Sequence, residues 1–207
     1  MKRILLIALA AVTVYSMKHG IGTGWIPSRG SRSLPDPLAV KVGLRDGRGM
    51  ARAVMVWIVS GPRWRVEIKD PVLPSTAVAV FDGEHYFARP ERLDVKKLDP
   101  NLVLIHARRL LAKGRPTKTE SVAGRRCHLY QEGVYRVWFD AGNGLPVRWI
   151  GPMTQEEAAR FTHIPVTLND WQFSFTGLAI DVAAQAGDLF NGANLNPEFT
   201  AQLRANF

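Results

Sequence analysis

The only cysteine of the 207-residue chain stands beside a histidine, and such a pair could supply a thiol nucleophile and its base. Cys127 and His128 lie in the stretch GRRCHLYQ, residues 124–131. We predict that this stretch is a β-strand, in which neighbouring side chains point to opposite faces. Cys127 then shares an apolar face with Leu129, and His128 shares the other face with Tyr130. We therefore expect a small buried hydrophobe rather than a catalytic pair.

Other patterns typical of enzymes and metal sites are missing from the sequence. The five histidines show neither HxH nor HExxH spacing, and the chain contains neither GxSxG nor a phosphate-binding loop. No close carboxylate pair lies on one predicted strand face. His106 falls in a predicted helix between Leu102 and Leu110, which favours a core or groove-edge histidine over a ligand. The sequence thus predicts a non-enzymatic protein without catalytic residues, metal or cofactor.

The charge balance is strongly basic, with 27 Lys and Arg against 18 Asp and Glu, a net charge of +9 and a pI of about 10.1. Such a balance favours anionic partners. The arginines are nevertheless scattered singly along predicted strands, so we expect solvated strand faces and no nucleic-acid partner. The arginines concerned are Arg52, Arg63, Arg65, Arg89, Arg136 and Arg148.

The first residues resemble a secretory signal. Lys2 and Arg3 precede an apolar run over residues 4–15, which is too short for a comfortable membrane span. The small-residue pattern that ends at Ser16 is a weak cleavage site, which leaves an uncleaved anchor open. The alternative is a buried N-terminal helix of a cytosolic protein. We expect export to the periplasm or cell envelope, where a single cysteine allows no internal disulfide.

The remaining chain divides by composition. Residues 1–19 form the predicted signal or anchor, and residues 20–37 form a linker rich in Gly, Pro and Ser. Residues 38–176 form the predicted domain. Residues 177–207 form a tail that we predict to be helical, because its NPEF motif provides an N-cap and a proline in the first turn.

Strand patterns dominate residues 38–176. In residues 63–69, Trp64, Val66 and Ile68 alternate with charged residues, which is typical of a half-buried antiparallel strand. The last part of the domain reads as a four-strand meander followed by one more strand. The predicted strands are residues 38–45, 52–59, 63–69, 77–81, 85–89, 117–122, 125–131, 134–140, 145–150 and 164–175.

Two helices are predicted within the domain. The first opens at Asp99-Pro100, buries a stripe containing Leu102, Ile105 and Leu110, and stops at Gly114. The second spans residues 154–161, where Thr154 and Glu157 form a capping box.

Tryptophans are concentrated in the predicted strands, and Trp171 shares a predicted face with Phe173 and Phe175. A sheet this aromatic either curls around an apolar ligand or fills a closed core, and the sequence leaves both readings open. The tryptophans concerned are Trp57, Trp64, Trp138, Trp149 and Trp171.

Four stretches, in order, resemble the LolA-like superfamily of exported lipoprotein and lipid carriers: SGPRWRVEI, VFDGEHYFARPE, VAGRRCHLYQ and YRVWFDAGNGLPVRW. They cover roughly residues 50–150. The resemblance implies an α+β, mainly β fold, in which a curved antiparallel half-barrel sheet and one or two lid or core helices enclose an apolar cavity for acyl chains. Two features differ: residues 20–37 lack a helical pattern, and no arginine precedes Pro62.

The cavity implied by the resemblance would hold the acyl chains of lipids or lipoproteins in a protein that we expect to be a monomer. A membrane surface or an envelope protein is a further partner to consider. We place Trp138 inside, because Arg136, two residues along on the same strand face, can serve as a headgroup contact at the mouth; strand parity alone does not decide which face points inward. The alternative is a structural or signalling scaffold of the same fold with a filled core. The predicted lining residues are Trp57, Trp64, Val66, Leu102, Ile105, Leu129, Trp138 and Trp149.

Overall fold

The computed structural model describes residues 33–69, 75–91, 93–152 and 170–199. They form one antiparallel sheet of ten strands, with a 3-10 helix at Val95–Leu98 and the α-helices α1 (Asn101–Ala112) and α2 (Ala186–Leu189). The strands are β1 Leu38–Arg45, β2 Ala51–Ser60, β3 Arg63–Lys69, β4 Ala77–Phe81, β5 Tyr86–Arg89, β6 Lys118–Val122, β7 Arg125–Glu132, β8 Tyr135–Asp140, β9 Pro146–Pro152 and β10 Asp170–Gly177.

The sheet consists of two five-strand meanders joined at its centre. The strand order is β5-β4-β3-β2-β1-β10-β9-β8-β7-β6, so β1 and β10 pair across the middle, with Val42 opposite Phe175. Every pairing is antiparallel, and β5 and β6 are the two edges, so the sheet does not close into a barrel. The prediction of a mainly β, antiparallel domain is confirmed.

Tight turns connect the strands of each meander. Ala123 and Gly124 link β6 to β7 with φ of 51° and 74°. Positive φ at both central residues is the geometry that matches the twist of paired strands in a two-residue hairpin. This turn fixes the register that places Cys127 opposite Glu120.

The two faces of the sheet carry different layers. One face, here the α1 face, holds one continuous apolar cluster built from strands of both meanders together with α1. The opposite face, here the tail face, holds two separate apolar clusters. One of these clusters, on β2, is covered by the segment after β10, including Val182, Leu189, Phe190 and Phe199.

Helix α1 begins and ends where the sequence predicts. The Asp99 carboxylate accepts a hydrogen bond from the backbone N–H of Asn101 at 2.8 Å, and Gly114 follows the last turn with a φ of 84°. The buried stripe, however, is rotated from the predicted one. The side chain of Leu102 is 40% exposed and Ile105 is only half-buried, while Leu110 is buried as expected.

The buried positions of α1 follow the spacing that one helix face requires. They are Val103, Leu104, Ala107, Leu110 and Leu111. Successive helix residues lie about 100° apart around the axis. The predicted stripe contained Leu102 instead of the buried Val103 and Leu104, and it was therefore rotated away from the sheet.

The segments flanking the predicted domain pack against it. Leu34 is buried, and the Asp36 carboxylate accepts the backbone N–H of Gly61 at 3.0 Å, so the end of the predicted linker belongs to the fold. In the tail, the described residues through 199 contain only α2 as a helix; the other described tail residues form turns and irregular segments. The predicted helix 154–161, the start of the strand 164–175 and the signal region lie outside the described residues.

Two charged residues of β3 are fully buried, which corrects the prediction of a solvated face there. Arg65 Nε donates to Glu67 Oε1 at 2.9 Å, and Arg65 Nη1 donates to the carbonyl of Asn194 at 2.7 Å. Glu67 in turn accepts the backbone N–H of Phe199 at 2.9 Å. The tail covers this part of β3, and strand alternation alone cannot distinguish a face covered in this way from one in water.

Candidate functional site

The structure divides the predicted cavity residues between the two faces of the sheet. Trp57, Trp64, Val66 and Trp149 lie together in the cluster of the α1 face. Two other members of the predicted set, Leu129 and Trp138, lie in a tail-face cluster with Cys127.

The orientation of strand β8 shows which of the predicted residues face α1. Val137 and Phe139 belong to the α1-face cluster, and Val137 stands opposite Trp149. Trp138 and Arg136 therefore point away from α1. The prediction that all of these residues share one face is corrected: Leu129, Trp138 and Arg136 lie on the side of the sheet opposite Trp57, Trp64 and Trp149. Both faces of β8 carry aromatic residues, so its sequence pattern alone does not decide between them.

Aromatic rings form the centre of the α1 face. Trp57 lies 5.9 Å from Phe173 and 5.8 Å from Phe175, measured between ring centroids, and Trp149 lies 5.3 Å from Phe173. Trp171 belongs to the same cluster. The prediction that Trp171, Phe173 and Phe175 share one face is confirmed, and these rings bridge the two meanders.

The buried tryptophans of this face share an unusual polar feature. Four indole Nε1–H groups are buried, and none has a hydrogen-bond partner among the groups that the structure describes. A buried unpaired donor costs about 1–3 kcal/mol, so tryptophan N–H groups in protein interiors usually find an acceptor. The four belong to Trp57, Trp64, Trp149 and Trp171.

One end of the α1 face, near the turns β2–β3 and β4–β5, is more polar. Tyr86 stacks on Phe81 with ring centroids 4.4 Å apart and lies 6.2 Å from Trp64. The Lys96 ammonium lies 5.7 Å from the centre of the Tyr86 ring. Burial raises the pKa of Tyr86, and the Asp99 carboxylate acts in the same direction. Tyr86 is still 42% exposed, so this end of the face reaches solvent.

Arg108 of α1 lies near this end and was not predicted as a site residue. Its Nη1 donates to Asn101 Oδ1 at 2.8 Å, and the side chain is half-buried. Burial lowers the pKa of Arg108, although the Asp36 and Asp99 carboxylates oppose that change. Burial also raises the pKa of Asp99. The sequence did contain a signal for Arg108. It lies one helical turn after the buried Leu104, so both side chains project from the same side of α1.

His106 lies at the border of the α1 face. Its ring stacks on Tyr135 at 4.7 Å with an interplanar angle of 16°, and Tyr135 in turn lies 5.8 Å from Trp149. His106 is half-buried, which agrees with the expected groove-edge position.

Cys127 and His128 lie on opposite sides of β7, as predicted. Cys127 is fully buried among Val122, Leu129 and Trp138, and burial raises the pKa of its thiol. His128 Nδ1 lies 3.0 Å from Thr119 Oγ1 instead of facing the sulfur. A buried thiol with a raised pKa is a poor nucleophile.

A shallow cleft of about 510 Å³ lies where the tail meets β3, β5 and the turn between β4 and β5. Arg63 forms one wall, with its guanidinium 4.9 Å from the centre of the Phe190 ring. A side chain at Gly192 would clash with the Phe87 ring, which is 2.4 Å from the position of a Cβ atom. The lining mixes charged and apolar groups, and the cleft shares no residue with the α1 face.

Comparisons with known proteins add no functional assignment. No family model matches the chain, and no curated protein matches it. Among solved structures, the chain is similar to a protein described as "Structure of PNGF-II in C2 space group", with 12% identity and a TM-score of 0.32. The match covers 83% of this chain and 32% of that protein. A similarity this low carries no argument, so the resemblance to LolA-like carriers rests on the sequence motifs alone.

Proposed function

We propose that this protein is an exported, non-enzymatic envelope protein that binds the acyl chains of lipids or lipoproteins between α1 and the sheet, as a monomer. The observation that carries the proposal is the set of buried, unpaired indole N–H groups on the α1 face. A ligand that combines an apolar chain with ester or carboxylate oxygens matches both the apolar rings and these donors.

The proportions of the sheet support a curved, half-barrel shape around this face. Ten strands spaced about 4.8 Å apart would span about 43 Å if they lay flat. Helix α1 has 12 residues and a length of about 18 Å. A flat sheet of that width would extend well beyond α1, whereas the apolar cluster draws on strands from both meanders.

The energetics of acyl burial are favourable. A C16 chain has about 15 CH₂ and CH₃ groups, each worth about 0.8 kcal/mol when buried. Half-burial gives about 6 kcal/mol before association costs, so headgroup contacts are needed for micromolar binding. Arg108 replaces Arg136 as the proposed headgroup cation, because Arg108 belongs to α1 and Arg136 faces the other side of the sheet.

Energy transfer from tryptophan to a fluorescent fatty-acid probe tests the location of the ligand. Trp57→Phe and Trp149→Phe should lower the transfer, because both rings belong to the α1 face. Trp138→Phe is the matched control on the tail face and should lower the transfer less, because its ring lies across the sheet from the proposed ligand. A wild-type protein that binds no probe at any salt concentration contradicts the proposal.

The alternative is a structural or signalling scaffold whose core is already filled. The burial of the α1-face tryptophans favours it: Trp57 is 1% exposed and Trp64 is 0% exposed. Native mass spectrometry of protein purified from membranes separates the two functions. Copurifying lipid supports the carrier, and a clean apo mass supports the scaffold.

A cavity-filling substitution gives a second test. Ala79 lies on the α1 face, opposite Val66. Ala79→Phe should abolish probe binding with little loss of stability if acyl chains occupy this face. In a filled core, overpacking should instead cost about 1–3 kcal/mol. Ala39→Phe is the control, because Ala39 packs against a tail-face cluster.

The proposed location is the periplasm or cell envelope. N-terminal sequencing of the mature protein tests it. A chain that starts near Met17 indicates a cleaved signal, and a chain that starts at Met1 in the membrane fraction indicates an anchor. Recovery of the protein only from the cytosol contradicts export. In the part of the chain that the structure describes, no helix has the length and apolarity of a membrane span.

A further inference from the structure

The polar end of the α1 face, here the mouth, is built by segments that are far apart in the sequence. The Asp36 carboxylate accepts the backbone N–H of Gly61 in the β2–β3 turn at 3.0 Å, which holds the segment before β1 at this end. Arg108 of α1 lies close enough to the Asp36 and Asp99 carboxylates to interact electrostatically with both. Tyr86 of β5 interacts with Asp99 in the same way. The mouth therefore collects charges of both signs beside an aromatic ring.

Arg108 keeps most of its capacity to donate hydrogen bonds. A guanidinium carries five N–H donors, and among the described residues Arg108 donates to Asn101 Oδ1 alone, at 2.8 Å. Within the same part of the chain, Asp36 and Asp99 act on its charge without accepting a hydrogen bond from it. The side chain is half-buried. A partly desolvated guanidinium with open donors suits a phosphate, which accepts several N–H groups at once.

The two carboxylates are held by neighbouring residues and keep acceptors for a ligand. Asp99 Oδ1 accepts the backbone N–H and the side-chain Nδ2–H of Asn101, at 2.8 and 2.9 Å. Asp36 accepts the N–H of Gly61 through both oxygens, at 3.0 and 3.2 Å. A carboxylate offers about four lone-pair sites, so neither group is saturated by these bonds. The ligand group that such acceptors select is a hydrogen-bonding cation.

The ring of Tyr86 already receives an ammonium group from the protein itself. Lys96 Nζ lies 5.7 Å from the ring centre, within the distance at which an aromatic face attracts a cation. Burial and the Asp99 carboxylate both raise the pKa of Tyr86, so the phenol is neutral at neutral pH. Lys96 is exposed, and its flexible side chain can move aside. Its ammonium marks the place that the ammonium of a ligand would take.

The balance of charge at the mouth argues against a purely anionic headgroup. The cations Arg108 and Lys96 stand against the carboxylates of Asp36 and Asp99. A headgroup with a phosphate alone would satisfy the guanidinium but bring a like charge toward the carboxylates, which is unfavourable. A quaternary ammonium has no N–H to donate to them, whereas a primary ammonium offers three. The mouth therefore fits a phosphate joined to a primary ammonium.

We propose that the acyl ligand carries a zwitterionic phosphate–ammonium headgroup, as in phosphatidylethanolamine, with its phosphate on Arg108 and its ammonium beside Tyr86 and Asp99. This inference rests on the proposed binding of acyl chains at the α1 face and names the class of lipid that enters there. The phosphate takes up the open guanidinium donors, and the ammonium displaces Lys96 from the aromatic ring. Asp36 completes the acidic side of the mouth.

Displacement of a bound fluorescent fatty-acid probe by lysolipids with one common acyl chain tests the headgroup. The full chain is used, below the concentrations at which the lysolipids form micelles. Lysophosphatidylethanolamine should displace the probe at about a ten-fold lower concentration than lysophosphatidylglycerol, the scale of one hydrogen bond to a charged group. Glycerophosphoethanolamine has the same headgroup without an acyl chain, and it should displace the probe about a hundred-fold more weakly than the lysolipid.

Substitutions at the mouth separate the two ends of the headgroup. Asp99→Asn keeps an acceptor for Asn101 but removes the charge, so it should weaken the ethanolamine lysolipid about ten-fold and abolish the preference. Lys96→Met removes the competing ammonium and should raise the preference about two- to five-fold. Arg108→Gln should weaken both lysolipids alike, by about ten-fold. Arg109→Gln, the exposed neighbour on α1, is the matched control and should change neither.

Three results would overturn the headgroup assignment while leaving the acyl site in place. They are equal displacement by both lysolipids, a preference that survives both Asp99→Asn and Asp36→Asn, and glycerophosphoethanolamine as potent as the lysolipid, which would assign the mouth to a free headgroup compound. A wild-type protein that binds no probe contradicts the acyl site itself and the headgroup assignment with it. Circular dichroism checks the folding of each variant, and Asp36→Asn decides alone if Asp99→Asn misfolds.

Discussion

Cys127 illustrates how strand geometry overrides a suggestive pair of residues. Its side chain is fully buried on the tail face, and the neighbouring His128 contacts Thr119 instead. Cys127→Ala should cost about 1 kcal/mol of unfolding free energy, the scale for a small buried group, and should leave probe binding unchanged. Urea denaturation and probe titration measure the two effects. Loss of binding without loss of stability would restore a functional role for the thiol.

Arg65 is a second residue whose role depends on the tail segment that covers it. Arg65→Met removes the guanidinium that pairs with the buried Glu67 carboxylate, so the unfolding free energy should fall by about 3–5 kcal/mol. Arg63→Met on the same strand is the control and should cost about 1 kcal/mol or less, since it loses only a ring contact. The double variant Arg65→Met/Glu67→Leu should recover part of the loss. Equal costs for the two single variants would contradict the buried-pair interpretation.

Asp46 gives the protein a pH-dependent contribution to stability. Burial alone would raise the pKa of this carboxyl, but hydrogen bonds from the Arg52 side chain and from the backbone of Met50 and Arg48 hold it below its usual value. The pKa of Asp46 is lower in the folded protein than its unfolded value of about 3.9. The ionised carboxylate therefore stabilises the folded protein when the pH is above about 3.9, and this stabilisation is lost as the pH falls through the folded pKa.

The substitution Asp46→Asn tests this contribution. The variant should be less stable than wild type at pH 7, by about 2 kcal/mol on the scale for hydrogen bonds to charged groups. The difference should shrink as the pH is lowered below about 4, because the Asp46 carboxyl then protonates in the unfolded chain before it does so in the folded protein. Melting temperatures at pH 7, 5 and 3 measure it. A difference that stays constant across this range would show that Asp46 does not titrate differently on folding.

At the scale of the element, α1 provides a matched pair of leucines. Leu104 is 1% exposed and Leu102 is 40% exposed, although they are two positions apart. Leu104→Ala should cost about 2–5 kcal/mol, and Leu102→Ala should change stability by about 0.5 kcal/mol or less. Chemical denaturation of the two variants measures the difference. Similar costs would mean that α1 sits in another rotation on the sheet.

The elements themselves could be predicted from the sequence because their signals are local. The strand at residues 63–69, the two-residue gap between the predicted strands 117–122 and 125–131, and the Asp99-Pro100 start each depend on neighbouring residues. Each appears at the expected place. The orientation of β8 could not be predicted, because Phe139 and Trp138 offer aromatic rings to both faces. Which face α1 covers is decided by residues far away in the sequence.

At the scale of the whole molecule, the site could be predicted only in part for the same reason, because contacts between residues far apart in the sequence decide its final form. Trp57, Trp64 and Trp149 lie on one face. Alternation in β3 predicts the face of Trp64, whereas β2 around Trp57 is a continuous apolar run that does not. The cover of β3 by the tail could not be predicted, since the contacts of Arg65 with Asn194 join segments that no local pattern relates. The comparisons leave the ligand to experiment.

The seam between β1 and β10 has a consequence for how the chain assembles. Within each meander, neighbouring strands pair through short turns, whereas the seam joins the two meanders across nearly the whole described chain. Closing so long a loop costs more entropy than closing a hairpin, so we expect both meanders to form before the seam. Until then β1 and β10 are bare edges, and β10 carries the rings of Trp171, Phe173 and Phe175. At high concentration β10 of one chain can pair with β1 of another, and refolding should then yield exchanged dimers that size-exclusion chromatography detects and dilute refolding avoids.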